Sequence, residues 1–388
     1  MASKPHQLLL SRFLLALSLA GTATAAWRAS AAGPAQQTAL FSEGFLPLHS
    51  EFRGQAALRD LIQRLPKAEL HIHIEGTLEP ELMFALAAKN GVELPYTDVE
   101  AARAARTNFT CLEDFLRMYA AATKVLITED DFYRLAQQYL ARAEAENIRA
   151  AEIFFDPQGH LARGVPLETV IRGLSRALAE SPVEASLLLC VQREFGAKAA
   201  AEALTRAIPY LPKSVIIALG MDGSELGHPP RNFVLAYGEA AALRLHRVAH
   251  AGEEGGPSYV REALSLLGAE RIDHGIRSLE DPALVAAMVK SQVPITLCPL
   301  SNLKLQVYKG QLEDRIRQVL ASGMRVTINS DDPAYFGSYV SGNYEWVARI
   351  AGLGPDSLAA LAANSFTSSF MPQVKQQEGE WVAAQKPE

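Results

Sequence analysis

Residues 68–74 read Ala68-Glu69-Leu70-His71-Ile72-His73-Ile74, a short run in which polar and apolar side chains alternate. Successive side chains on a strand point to opposite faces, so His71 and His73 share the inner face and Ile72 and Ile74 the outer one. Outward from this stretch the pattern repeats. Residues 151–156, 185–192, 215–222, 245–252, 271–276, 295–301 and 325–331 are further β-rich runs, and helical patterns separate them. Strands that alternate with helices predict parallel pairing through helical crossovers. Eight such strands can close on themselves. The expected fold is therefore α/β, a (β/α)8 barrel of the TIM type, over a span close to the usual length of about 250 residues.

The connecting helices carry their own signals. Thr77 is expected to cap a helix with Glu79, Pro80 and Glu81 in its first turn, Leu82, Met83, Leu86 and Ala87 on one face, and Gly91 at its end. Thr128 is expected to cap a second, with Glu129, Asp130 and Asp131 at the positive end of its dipole. Its buried stripe would be Phe132, Leu135, Ala136, Tyr139, Leu140 and Ala143. The first crossover, residues 75–149, is far longer than one helix needs. The excess predicts a helical excursion over the barrel mouth, with residues 109–119 as its lid. Residues 345–370 read as closing helices.

With 49% hydrophobic and 21% charged residues, the 388-residue chain has the make-up of a globular enzyme. Its net charge is −6, with no basic stripe in the body, which argues against nucleic acid as a partner. Cys111, Cys190 and Cys298 are far apart and odd in number, so neither a disulfide framework nor a cysteine zinc knuckle is expected. Residues 1–26 are different in kind. Lys4 and Arg12 precede an apolar stretch at 13–20, Ala23-Thr24-Ala25 follows, and the first acid is Glu43. This layout matches a secretory signal peptide, and its acid-free, Arg- and Ser-bearing character also matches an organelle transit peptide. An extended start codon is the third reading. The apolar core is too short to span a bilayer. The expected organisation is this segment, a linker at 27–55, a catalytic barrel at 56–372 and a polar tail at 373–388.

In a barrel of this kind the active site forms at the C-terminal ends of the strands, and metal-capable residues fall there. His71 and His73 lie in the first strand, and their spacing lets two imidazoles share one ion. His250 ends the fifth run in Val248-Ala249-His250-Ala251-Gly252-Glu253, and Glu253 in the turn can act as a proton shuttle. His274 ends the sixth, and Asp331-Asp332 end the eighth. Three histidines and one aspartate make a zinc set with one position left for water. A second metal is not expected, because the fourth run holds no lysine to bridge two ions.

In these motifs the chain resembles the adenosine/adenine deaminase family of metal-dependent barrel hydrolases. The matching stretches are 66–76 around His71 and His73, His250-Ala251-Gly252-Glu253, Asp273-His274-Gly275, Cys298-Pro299-Leu300-Ser301-Asn302 and Ser330-Asp331-Asp332. The resemblance implies one Zn2+ per chain on His71, His73, His250 and Asp331, with Glu253 as proton donor. It makes His274 the residue that orients the attacking water and Asp332 a contact to the purine ring. Residues 154–158, the Ser224-Glu225 pair and 329–337 are similar to the adenine deaminase group in particular. The implied reaction is hydrolytic deamination of adenine to hypoxanthine and ammonia, with deamination of adenosine as the alternative. Glu225 is expected to exclude ribose by its bulk. Two departures lie near the mouth: Gly223 stands where the group carries Ser, and Gln192-Arg193-Glu194 follows Cys190 where a Leu-Arg-His-like sequence is usual. The cytosine-deaminase pattern is excluded, since His73-Ile74-Glu75 supplies its H-x-E half without any P-C-x-x-C. A non-catalytic purine-binding barrel would have lost a ligand or the acid, and neither is missing. The resemblance also implies a cytoplasmic enzyme, while residues 1–26 keep export or organelle targeting open.

Overall fold

A computed structural model describes residues 55–213 and 215–375. The signal-like segment, the linker up to residue 54 and the tail beyond 375 lie outside the described residues. The strands are β1 (Lys67–His73), β2 (Ile148–Phe155), β3 (Glu184–Gln192), β4 (Ile216–Asp222), β5 (His246–Ala251), β6 (Arg271–His274), β7 (Pro294–Leu297) and β8 (Arg325–Ile328). They pair in sequence order, and every pair is parallel. The barrel closes between β8 and β1 through a bridge of Ile72 with Asp331: the His73 amide donates to Asp331 O, and the Asp331 amide to His71 O. Asn329 completes the seam by accepting from the Leu70 amide at 2.9 Å. The (β/α)8 expectation therefore holds, with the run at 295–301 shortened because Pro299 opens a helix.

Helix α1 (Gln55–Arg64) precedes the barrel. The excursion after β1 comprises α2 (Pro80–Asn90), α3 (Val99–Ala105), α4 (Leu112–Ala122) and α5 (Glu129–Ala145). Thr77 does not cap α2. It sits in a 3-10 turn, where its hydroxyl donates to Ile74 O, and Glu79 is the residue before the helix. Pro80 explains the difference, since its fixed φ suits the first helical position and sets the start there. Gly91 ends α2 in the left-handed region (φ 65°), as expected. Thr128 caps α5, and Asp131 accepts from the Thr128 amide at 2.8 Å. The stripe from Phe132 to Ala143 is buried as expected.

Two layers share the burial. Ile72 and Ile74 belong to the outer core between strands and helices, whereas Phe154, Leu188, Cys190, Ala218 and Val248 fill the barrel interior. Below them lies an ion pair, Arg271 to Glu152 at 2.5 Å, with both side chains fully buried. Glu152 also accepts from Ser369 Oγ (2.7 Å) and the Phe370 amide (2.5 Å), so the chain just after Thr367 seals the barrel floor. Closing helices at Val340–Ala351 and Pro355–Thr367 match the expectation for residues 345–370. Among the described residues no helix is long and apolar enough to cross a membrane, and Cys111, Cys190 and Cys298 are free thiols.

Candidate metal centre and active site

Four strand ends contribute to one place. His71 and His73 come from β1, His250 from β5, His274 from β6, and Asp331 from just beyond β8; all five are buried. His71 Nε2 and His73 Nε2 lie 3.1 and 3.4 Å from Asp331 Oδ1, and His73 Nε2 lies 3.2 Å from His250 Nε2. Bonds of about 2.0–2.1 Å to a tetrahedral zinc would separate neighbouring donors by about 3.3 Å. The observed spacings fit that ion, and His71 Nε2 is a buried atom with no hydrogen-bond partner of its own. The donor atoms of His71, His73, His250 and Asp331 lie within 4.8 Å of one another. Two overlapping groupings also exist, His71–His274–Cys298–Asp331 and His73–Asp156–Asp222. The first would need the Cys298 thiolate, and burial with the nearby acids raises that thiol's pKa well above its ordinary value. In the second, Asp156 is already engaged by the Tyr119 hydroxyl at 2.6 Å.

For Nε2 of His71 and His250 to face an ion, Nδ1 of each must carry the proton. His71 Nδ1 meets Thr296 Oγ1 at 2.8 Å, and that hydroxyl donates to Asp273 Oδ1 at 2.9 Å. His250 Nδ1 lies 3.5 Å from Asp273 Oδ2. One buried carboxylate thus supports the His71 imidazole through Thr296 and faces the His250 imidazole without a hydrogen bond, and Asp222 faces His73 Nδ1 at 3.4 Å.

Both His274 (φ 62°) and Asp331 (φ 67°) are in the left-handed region. Non-glycine residues there cost of order 1–3 kcal/mol, a strain that turns these side chains from the strand direction into the mouth. His274 Nε2 is 3.5 Å from Glu253 Oε2 and 3.7 Å from Asp331 Oδ2. Asn302 Nδ2 donates to Glu253 Oε1 at 3.3 Å. Burial, reinforced by Asp331, Glu254 and Glu225, raises the Glu253 pKa well above the carboxylate range and so favours its acid form. Burial pushes His274 down to about 3, leaving it neutral. Asp332 is likewise raised, by burial and the Asp331 charge. It lies against Gly76, where a β-carbon would come within 1.9 Å of its Oδ1; only glycine allows that approach.

The cavity above these groups measures about 410 Å3 including its open mouth, within the range of small-molecule sites. His73, His250, Glu253, His274, Asp331 and Asp332 line one part of it, and Asp156, Gln192, Asp222 and Gly223 another. Leu112, Phe115, Leu116 and Tyr119 of α4 cover it, which is the lid expected at 109–119. Phe115 anchors the lid against Phe336 and Tyr335, with ring centroids 4.9 and 5.3 Å away.

The ribose-excluding role expected of Glu225 is not what the structure gives it. Glu225 does not line the cavity. Its carboxylate is consumed by the backbone of residues 252–255. The two departures near the mouth meet each other instead. Gly223 has φ +80°, and a β-carbon there would lie 2.1 Å from Glu194 Oε2, so the serine usual at this position would require the Glu194 carboxylate to move and a strained backbone. Sequence reasoning gave no role to Asp273, Asp222, Asp156 or Tyr119. The first three end or nearly end strands, and that placement was the available signal.

Residues 66–379 match the family model described as adenosine deaminase. The adenine deaminase of Streptomyces coelicolor is 52% identical over 328 residues, covering 84% of this chain and 96% of that protein. That of Cupriavidus pinatubonensis is 49% identical over 329 residues, covering 83% and 92%. The crystal structure of adenine deaminase from Arthrobacter aurescens superposes with a TM-score of 0.79 at 45% identity, covering 82% of this chain and 98% of that one. An amidohydrolase from Burkhoderia ambifaria, solved with bound zinc, gives 0.79 at 25% identity over 88% and 96%. Matched along the whole described barrel and carrying the buried donor cluster at its mouth, this chain belongs to the adenosine deaminase family.

Proposed function

We propose that this chain catalyses hydrolytic deamination of adenine: water adds at C6, the C6–N6 bond breaks, and hypoxanthine and ammonia leave. The observation that carries the reading is a buried carboxylic acid, Glu253, held 3.5 Å from a neutral His274 beside a donor set that fits one zinc ion. Support for the substrate comes from relatives at 52% and 49% identity that are adenine deaminases.

His71, His73, His250 and Asp331 hold the ion in this reading. Zinc bound by such donors supplies the Lewis acidity that makes water available as a nucleophile near neutral pH. Glu253 gives its proton to N1, which makes C6 electrophilic. His274 accepts a proton of the attacking water and passes it to N6, the leaving nitrogen. The water's second proton, released as the C6 carbonyl forms, returns Glu253 to its acid state. Asp332, its pKa raised by burial and by Asp331, is the hydrogen-bond partner of N7. The α4 lid keeps bulk water from these transfers. By family resemblance the catalytic body acts in the cytoplasm; N-terminal sequencing of the native protein tests this against export through residues 1–26.

The test is ammonia release from adenine and adenosine by protein of measured zinc content. The reading expects about one zinc per chain and turnover of adenine well above adenosine. Faster turnover of adenosine would replace adenine by the nucleoside, and release from neither would refute the assignment.

A further inference from the structure

Four consecutive backbone amides converge on one side chain. The amides of Gly252, Glu253, Glu254 and Gly255 donate to the Glu225 carboxylate at 2.7, 3.1, 2.9 and 2.9 Å. Such a run of N–H groups is an anion-binding nest, and here the protein fills it with its own carboxylate, 2% exposed. The flanking glycines let the loop close around it. Gly252 has φ +79°, and a β-carbon on Gly255 would lie 2.9 Å from the Glu225 carboxyl carbon. The Glu225 amide in turn donates to Glu254 Oε2 at 3.3 Å. Behind the carboxylate sits Arg193, fully buried, with Nη1 3.8 Å from Glu225 Oε1 and Nη2 donating to His250 O. The ends of β3, β4 and β5 are thus tied together at the turn that carries Glu253.

We infer that Glu225, braced by Arg193, is the positioning residue that sets Glu253 opposite the purine N1, acting through the turn backbone rather than on the substrate. The inference rests on the role proposed above for Glu253. Charged hydrogen bonds are roughly twice as strong as neutral ones, and four of them on a buried carboxylate make the turn rigid. Misplacing a reacting group by about 1 Å can cost on the order of 100-fold in rate. Glu225 also adds a negative charge near Glu253, and Arg193 a positive one. The other groups facing Glu253 are Asp331 and Asp332 beyond β8, His274 of β6, Cys298 beyond β7 and Glu254 on its own turn.

The test uses the zinc-loaded full chain. Glu225→Gln keeps the shape but loses the charge and an acceptor oxygen. Its kcat on adenine should fall roughly 10- to 100-fold with KM changed by less than about threefold and zinc content intact. The basic limb of its kcat/KM profile should move to lower pH, because an acid with fewer negative neighbours gives up its proton sooner. Arg193→Gln should move that limb the other way. Wild-type kcat in Glu225→Gln, a change in KM alone, or a lower Tm with an unmoved limb would overturn the inference. Should Glu225→Gln not fold, Glu225→Asp decides: retained charge on a shorter arm should lower kcat and leave the limb in place, and unaltered kcat would overturn the clamp. An infrared pH titration of the Glu253 carboxyl, assigned by its loss in Glu253→Gln, follows the same shift without turnover. It separates failure of the clamp from failure of the adenine reading.

Discussion

Replacing Asp273 by Asn keeps the side chain's shape and removes its ability to face two donors, a hydroxyl and an imidazole N–H, with an acceptor oxygen each. In the native site Oδ2 lies 3.5 Å from His250 Nδ1, and Oδ1 receives the Thr296 hydroxyl that in turn meets His71 Nδ1 at 2.8 Å. An amide offers one acceptor and one NH2. With its NH2 toward His250 Nδ1 the amide sets donor against donor, and with its NH2 toward Thr296 the hydroxyl must accept where it donated before; either way one imidazole loses the carboxylate's support for the tautomer with Nε2 bare. Loss of one such supporting contact typically weakens metal binding 10–100-fold, about 1.4–2.7 kcal/mol. Asp273→Ala removes both contacts, and the loss should compound to roughly 100-fold or more. The assay is zinc occupancy at buffered free zinc, read by mass spectrometry on desalted protein. Turnover per bound zinc should change much less than occupancy. An Asp273→Asn protein that holds zinc as tightly as the wild type would refute the reasoning, and so would full occupancy with turnover lost.

Glu253→Gln should retain zinc and lose roughly 10²–10⁴-fold in kcat. Because burial raises the Glu253 pKa, wild-type activity should fall as pH rises through it, and a residual Glu253→Gln activity showing the same basic limb would show that another group titrates there. Arg271→Met strands the buried Glu152 charge and should cost about 3–5 kcal/mol in urea unfolding, with Glu152→Gln added to it restoring much of the loss; a single variant within about 1 kcal/mol of wild type would contradict this. Phe115→Ala removes the lid's anchor, worth about 1.5–3 kcal/mol of burial. KM for adenine should rise roughly tenfold or more and amides across Leu112–Ala122 should exchange faster, whereas an unchanged KM would show that lid closure is not coupled to binding.

The strands were legible because a parallel barrel writes its inner and outer faces into short β-rich runs, and His-Ile-His on the first of them names the inner face outright. The long first crossover announced the lid, since residues 75–149 exceed what one helix can use. Less could be read at strand ends, where one residue of overrun changes which side chain faces in. Asp222 and Asp156 close the fourth and second runs, yet their roles depend on neighbours brought from β1 and α4, which sequence order does not display. Glu225 shows the limit most clearly. Its bulk and position suggested a steric wall, but the groups that consume it are backbone amides, and those carry no signature in side-chain identity beyond Gly252 and Gly255. Thr77 failed as a cap for a local reason, because Pro80 fixes the helix start two residues further on.

Anomalous diffraction at the zinc absorption edge, on crystals of the full chain, bears most directly on the metal centre. The account predicts a single strong peak about 2.0–2.2 Å from His71 Nε2, His73 Nε2, His250 Nε2 and an Asp331 carboxylate oxygen, with Glu253 and His274 beside it but outside bonding distance. A peak seated instead on His73, Asp156 and Asp222, or two peaks of equal strength in the barrel mouth, would contradict it.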